Sequence, residues 1–173
     1  MQKPDIKLVC FYGPESTGKS TMAKHFASLY HTEFVPEVSR EMITTNHFTV
    51  DDIIRIGKAQ TERIKNKLTT ANQILFCDTD LITTQIYSRK YLGVVPAILY
   101  ELEKEITYDQ YFLFDIDVPW VADGLRDLGN ERETMMNIFK EELAKRNIRP
   151  VLIRGSWHER EETIKATLTK LLL

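Results

Sequence analysis

Cysteine is scarce: two residues in 173, Cys10 and Cys77, each inside an apolar run (KLVCFY and ILFCDT). They make no CxxC pair and have no histidine at metal-ligand spacing, which argues against a zinc module or a disulfide scaffold. Both read as small core residues of a reduced compartment. An excess of either charge is missing too. Lys and Arg number 23 against 25 Asp and Glu, so no overall field draws the chain to nucleic acid or anionic membrane, and a small molecule is the expected partner. No window approaches the roughly 18 apolar residues of a membrane span. The amino-terminal MQKPDIK lacks the apolar stretch of a signal peptide, so a cytoplasmic location is expected. Repeats, low-complexity tracts and Gly/Ser/Pro-rich linkers are also lacking, and residues 1–173 are expected to form one domain. The histidines, His25, His31, His47 and His158, are scattered and receive no chemistry.

What is present alternates. Short apolar runs predict strands at Ile6 to Tyr12, Glu33 to Val35, Ile74 to Cys77, Tyr111 to Ile116 and Pro150 to Ile153. Their near-continuous apolarity suits strands covered on both faces of a parallel sheet. Between them, Ala23, Phe26, Ala27 and Tyr30 recur at helical spacing, as do Ile164, Leu168, Leu171 and Leu172. Helices also fit Asp51 to Thr70, Thr79 to about Tyr91, Pro96 to Ile106 and Glu131 to Arg146. The alternation predicts an open α/β domain whose ligands gather at the carboxyl ends of the strands.

The sharpest signal is GPESTGKS, Gly13 to Ser20, which satisfies GxxxxGK(S/T) between a strand and an amphipathic helix. Glycines at both ends let successive backbone amides converge on phosphate oxygens, and the helix that starts there adds its positive end. The expected ATP contacts are Gly13, Glu15, Ser16, Thr17, Gly18, Lys19, Ser20 and Thr21, with Lys19 reaching the β and γ phosphates and the Ser20 hydroxyl on Mg²⁺. The bland alternative is a Gly-rich turn that merely starts a helix. A second element, ILFCDTD, ends a strand in Asp78 and Asp80. One carboxylate can hold Mg²⁺ while the other takes the acceptor's proton, and either Asp80 or Thr79 can instead cap the following helix. The residues alone do not divide these roles.

CDTDLITTQIY, followed by YDQYFLFDIDVPWVADGLRDLG, resembles the ribosylnicotinamide kinase domain of NadR-type proteins. The resemblance covers nearly the whole chain and includes the order of GPESTGKS, EVSRE at 37–41, the DTD block and WVADGLR. It implies a three-layer P-loop NTPase fold of the nucleoside-kinase kind around a mainly parallel five-stranded sheet. It further implies ATP and Mg²⁺ as cosubstrates and nicotinamide riboside as acceptor, giving nicotinamide mononucleotide and ADP. NadR proteins usually carry a nucleotidylyltransferase domain as well. The chain is therefore expected to be a free-standing kinase or one domain of a longer protein.

Trp120 to Gly129 should overhang the sheet as part of a lid at about 120–132, with Gly124 and Gly129 as its flexible points. Within it, Arg126 suits the charge on the transferring phosphoryl group, and Asp123 suits ribose hydroxyls. Trp120 and Trp157 both follow predicted strands and form an expected aromatic clamp for a cationic ring, with packing over the core rim as the alternative. Glu37 and Arg40 match the family's acidic-plus-arginine segment and are expected to line the ribose or phosphate region. Asp78 or Asp80 would then deprotonate the acceptor hydroxyl while Lys19 and Arg126 neutralise charge. Two rivals remain: a kinase of another nucleoside or metabolite, and a non-catalytic nucleotide-gated module.

Overall fold

Five strands form one sheet in the order β2-β3-β1-β4-β5, with every neighbouring pair parallel. The strands are β1 (Lys7–Tyr12), β2 (Phe34–Val35), β3 (Ile74–Asp78), β4 (Gln110–Phe114) and β5 (Val151–Ile153). Parallel neighbours need a crossover between them, and among the described residues six helices supply those crossovers: α1 (Lys19–Leu29), α2 (Ser39–Met42), α3 (Val50–Leu68), α4 (Leu81–Leu92), α5 (Ala97–Lys104) and α6 (Arg132–Lys145), while α7 (Trp157–Leu171) follows the last strand and packs back on the sheet. The structure, a computed structural model, describes residues 5–43, 45, 47–119 and 131–173.

Strand alternation divides the core. Val9 and Phe11 of β1 point to one face with Phe76, Phe112 and Phe114, and they pack under Met22, Phe26 and Ala27 of α1 and Ile164 and Leu168 of α7. Cys10 and Tyr12 point to the other face, where they meet Ile82 and Ile86 of α4 and Met135, Phe139 and Leu143 of α6. Each such side chain removed from water contributes roughly 1.5–3 kcal/mol, so a strand apolar on both faces is stable only when helices cover both. This is the three-layer arrangement expected from the near-continuous apolar runs. Both cysteines are free and buried.

Helix starts follow local chemistry. Thr49 and Asp52 form a reciprocal capping box before α3, and Ser156 and Glu159 form another before α7. The α1 helix is different. Its first residue follows Gly18, which is left-handed (φ 92°) and offers no side-chain cap. A helix start without a side-chain cap is a common seat for an anion. The α4 helix begins at Leu81, two residues later than the periodicity suggests, because Thr79 has φ 72° and Asp80 is the cap.

Candidate active site

The loop between β1 and α1 is held in shape by its own atoms. Gly13 has φ 139°, and a Cβ there would lie 2.8 Å from the Phe114 carbonyl oxygen on β4, so only glycine fits. Thr17 Oγ1 donates to Pro14 O at 2.9 Å. Lys19 Nζ donates to Pro14 O at 2.6 Å and to Thr17 Oγ1 at 3.4 Å. Lys19 is only 8% exposed, so its ammonium sits inside the loop and not in solvent.

Asp78, the last residue of β3, lies opposite Phe11 in the register and is 1% exposed. Ser20 at the start of α1 donates its hydroxyl to Asp78 Oδ2. Asp78 Oδ1 is buried with no hydrogen-bond partner among the described residues. Burial, reinforced by the Glu37 carboxylate, pushes the Asp78 pKa up to about 6 against the pull of Lys19, Ser20 and Arg40. A carboxylate kept at that cost beside a hydroxyl suits a hard cation. Among the described residues no cluster of three or more His, Cys, Asp or Glu could hold a metal ion, so an all-protein cage is not the arrangement. Mg²⁺ is commonly held by one or two carboxylates plus substrate phosphates, and Ser20 with Asp78 fits that donor set.

Above this floor a pocket opens between the phosphate loop and α4. Its lining includes Gly13, Glu15 to Thr21, Glu37 and Arg40, together with Phe48, Gln60, Tyr87 and Tyr91. Glu37 accepts from Arg40 Nε at 3.1 Å and from Ser39 Oγ at 3.1 Å, which fixes its carboxylate at the pocket wall. Tyr87 and Tyr91 lie one helical turn apart on α4 with rings stacked at 6.2 Å. Phe48 stands edge-on to Tyr91 at 5.5 Å. Burial, with Glu15 and Glu37 nearby, keeps the Tyr87 phenol well above its ordinary range, so it stays a neutral donor. These aromatic residues were missed from the sequence, although QIYSRKY carries the i, i+4 tyrosine spacing that marks one helix face.

The structure brings Lys19, Ser20, Asp78, Glu37 and Arg40 together and parts others from them. Asp80 is a correction. Its Oδ1 accepts from Thr83 N and Thr83 Oγ1, both at 2.9 Å, and its Oδ2 accepts from Tyr111 OH at 2.7 Å. Buried with both oxygens engaged, it serves as the cap of α4, whereas Asp78 keeps one oxygen without a partner among the described residues. Trp157 is a second correction. It opens α7 with 43% exposure and lies edge-on to His25 at 5.6 Å, outside the pocket, so it is no wall of an acceptor clamp. Trp120, Asp123 and Arg126 lie outside the described residues, as does the predicted lid apart from Glu131 and Arg132. His25, given no partner from the sequence, pairs with Glu161 at 3.0 Å.

Comparison with known proteins bears on family and fold. Residues 8–160 match the family model described as AAA domain. The chain is 32% identical over 159 residues to the trifunctional NAD biosynthesis/regulator protein NadR of Salmonella typhimurium, covering 86% of this chain and 38% of that protein. It is likewise 32% identical over 152 residues to the Escherichia coli K12 protein of the same name, covering 83% and 37%. The chain thus spans under two fifths of the length of these curated relatives. Among solved structures, a NadR protein in complex with NR superposes with a TM-score of 0.76 at 21% identity, covering 95% of this chain and 51% of that one. Thymidylate kinase from Ehrlichia chaffeensis superposes with a TM-score of 0.65 at 16% identity, covering 95% and 100%. At these identities the structural likeness bears on the fold alone, which the chain shares with both of those proteins.

Proposed function

The chain belongs to the AAA domain family, and on that premise we propose that it is an ATP-dependent kinase of nicotinamide riboside. It would transfer the γ-phosphoryl group to the 5′-hydroxyl and give nicotinamide mononucleotide and ADP. The observation that carries this reading is one juxtaposition. A phosphate loop whose Ser20 donates to Asp78 lines one pocket together with Glu37, Tyr87 and Tyr91. The NadR relatives are named for NAD biosynthesis, and a NadR structure holds NR, which supports the choice of acceptor.

In this reading the loop amides and Lys19 hold the β and γ phosphates. Ser20 and Asp78 would hold Mg²⁺, which supplies charge neutralisation at the phosphates. Glu37 accepts a hydrogen bond from the acceptor and orients its hydroxyl toward the phosphate side. Asp80, already accepting from Thr83 and Tyr111, takes no part. Nicotinamide riboside carries a positive ring, and a pocket bearing Glu15, Glu37 and two tyrosine faces favours a cation by charge and by roughly 0.5–2 kcal/mol of cation–π attraction. The remainder of the catalytic set is assigned to residues 120–130, with Arg126 as the expected partner of the transferring group. No helix among the described residues is long and apolar enough to cross a membrane, and two buried free thiols suit a cytoplasmic enzyme.

The test is an ADP-release assay with nicotinamide riboside, adenosine, thymidine and no acceptor, run on the parent and on Lys19→Ala. Turnover should be highest with nicotinamide riboside and should fall at least about 100-fold in the variant. Equal rates on all three nucleosides would remove the acceptor assignment. Activity unchanged by Lys19→Ala would remove the kinase reading altogether.

A further inference from the structure

Arg160 lies on α7, far along the chain from the phosphate loop, and is one of the few buried charged residues of the fold, with a side chain only 4% exposed. Its guanidinium is spent on three separate segments. Nη1 donates to the Thr17 carbonyl in the phosphate loop at 3.1 Å. Nε donates to Gly155 O at 3.0 Å, in the turn between β5 and α7. Nη2 donates to the Asp117 carboxylate and, at 3.4 Å, to Asp115 O, both just beyond the end of β4. The guanidinium carbon also stands 5.8 Å from the centre of the Phe114 ring. The other Asp117 oxygen accepts from Gly155 N at 2.7 Å, so the same carboxylate ties the β4 and β5 ends to each other.

We propose that Arg160 is a positioning residue for the phosphate loop, setting donor-nucleotide affinity without touching the acceptor. The proposal rests on reading Gly13 to Ser20 as the phosphate site. A planar guanidinium with five donors can hold carbonyls on several segments in one fixed fork, which a lysine ammonium on a flexible stem cannot do. The bond to Thr17 O matters because of what lies on the other side of that residue. Lys19 Nζ and Thr17 Oγ1 both donate to Pro14 O, which closes the loop from inside. Thr17 O is anchored from outside the loop by Arg160. The loop is therefore held convergent by a tie that does not depend on where the Lys19 ammonium donates.

The readout is binding, so that loop geometry is separated from chemistry. Calorimetric titration with Mg²⁺ and a non-hydrolysable ATP analogue, and separately with nicotinamide riboside, is performed on the parent, Arg160→Lys, Arg160→Gln and Asp117→Asn, with a thermal melt of each. Nucleotide affinity should fall about 10-fold in Arg160→Lys and further in Arg160→Gln, with a smaller loss in Asp117→Asn, while riboside affinity stays within about two-fold. The lysine variant should melt close to the parent, a split that a purely structural role does not produce. Nucleotide affinity within two-fold of the parent in every folded variant overturns the proposal. So does a parallel loss of both ligands that tracks the melting temperature, and so does failure of both Arg160 variants to fold while Asp117→Asn binds nucleotide like the parent. A parent that binds no magnesium nucleotide, by contrast, refutes the reading of the loop itself.

Discussion

Replacing Asp78 by Asn should make the ligand-free protein more stable while abolishing its turnover. Folding raises the Asp78 pKa from about 3.8 to about 6, chiefly by burial and secondly by Glu37. A difference of about two pH units, at about 1.4 kcal/mol each, means that the ionised carboxylate costs the fold about 3 kcal/mol at neutral pH. Asn has nearly the same shape and carries no charge. Its carbonyl can accept from Ser20 as Oδ2 does, while its amide falls where Oδ1 now has no partner. An unpaired buried amide offsets about 1 kcal/mol, leaving a net gain of about 2 kcal/mol. For a chain of this length that corresponds to a rise in melting temperature of about 4–8 °C.

The sign of the pH dependence gives the sharper test. The folded state holds the Asp78 proton more tightly than the unfolded state does, so this group's effect is to lower parent stability as pH rises from about 4 through about 6. The Asn variant has no such group. In urea titrations followed by circular dichroism, the variant's advantage should be near nil at pH 4, open across that interval and stay level above pH 6.5. Magnesium nucleotide should reverse the order, because only the parent can use the charge to bind it, and ligand binding adds to stability by mass action. A variant no more stable than the parent at pH 7.5, or an advantage that does not vary between pH 4 and 7, would refute the argument that burial of this charge is a cost retained for binding.

Two further substitutions separate the roles assigned above. Tyr87→Ala should raise the Michaelis constant for nicotinamide riboside about 10-fold, the equivalent of about 1.4 kcal/mol, and leave that for ATP within two-fold; steady-state kinetics with each substrate varied in turn will show whether the tyrosine face belongs to the acceptor. Asp80→Ala should lose about 2–4 kcal/mol of stability, since Thr83 N, Thr83 Oγ1 and Tyr111 OH all lose their acceptor. The molecules that remain folded should turn over within a few-fold of the parent, and a loss of 1,000-fold at unchanged stability would return Asp80 to the chemistry.

Much of this molecule was legible before its coordinates, and what was not legible shares one cause. The phosphate loop, the apolar strands and the crossover helices are local patterns, each decided within about 20 residues. Glu37, Asp78 and Ser20 could be placed because each follows a strand or opens a helix at the carboxyl edge of the sheet. What chain position does not encode is the order of strands across the sheet. Trp157 does follow a strand at that edge, as expected, but its strand is β5, and the order β2-β3-β1-β4-β5 sets it three spacings from β3. At about 4.8 Å per spacing that is about 14 Å, and about 19 Å from β2 and the Glu37 segment behind it. An indole cannot span that gap to share one ring with the Glu37 wall. The same count explains why Arg160 escaped notice, since its partner Thr17 lies 143 residues away in sequence. It also explains why Tyr87 and Tyr91 become the aromatic wall: α4 follows β3 directly, and its Thr83, Thr84, Tyr87 and Tyr91 line the same pocket as the phosphate loop. On the β2 and β3 side of the sheet, α4 is the element that brings two aromatic rings at one-turn spacing to the pocket.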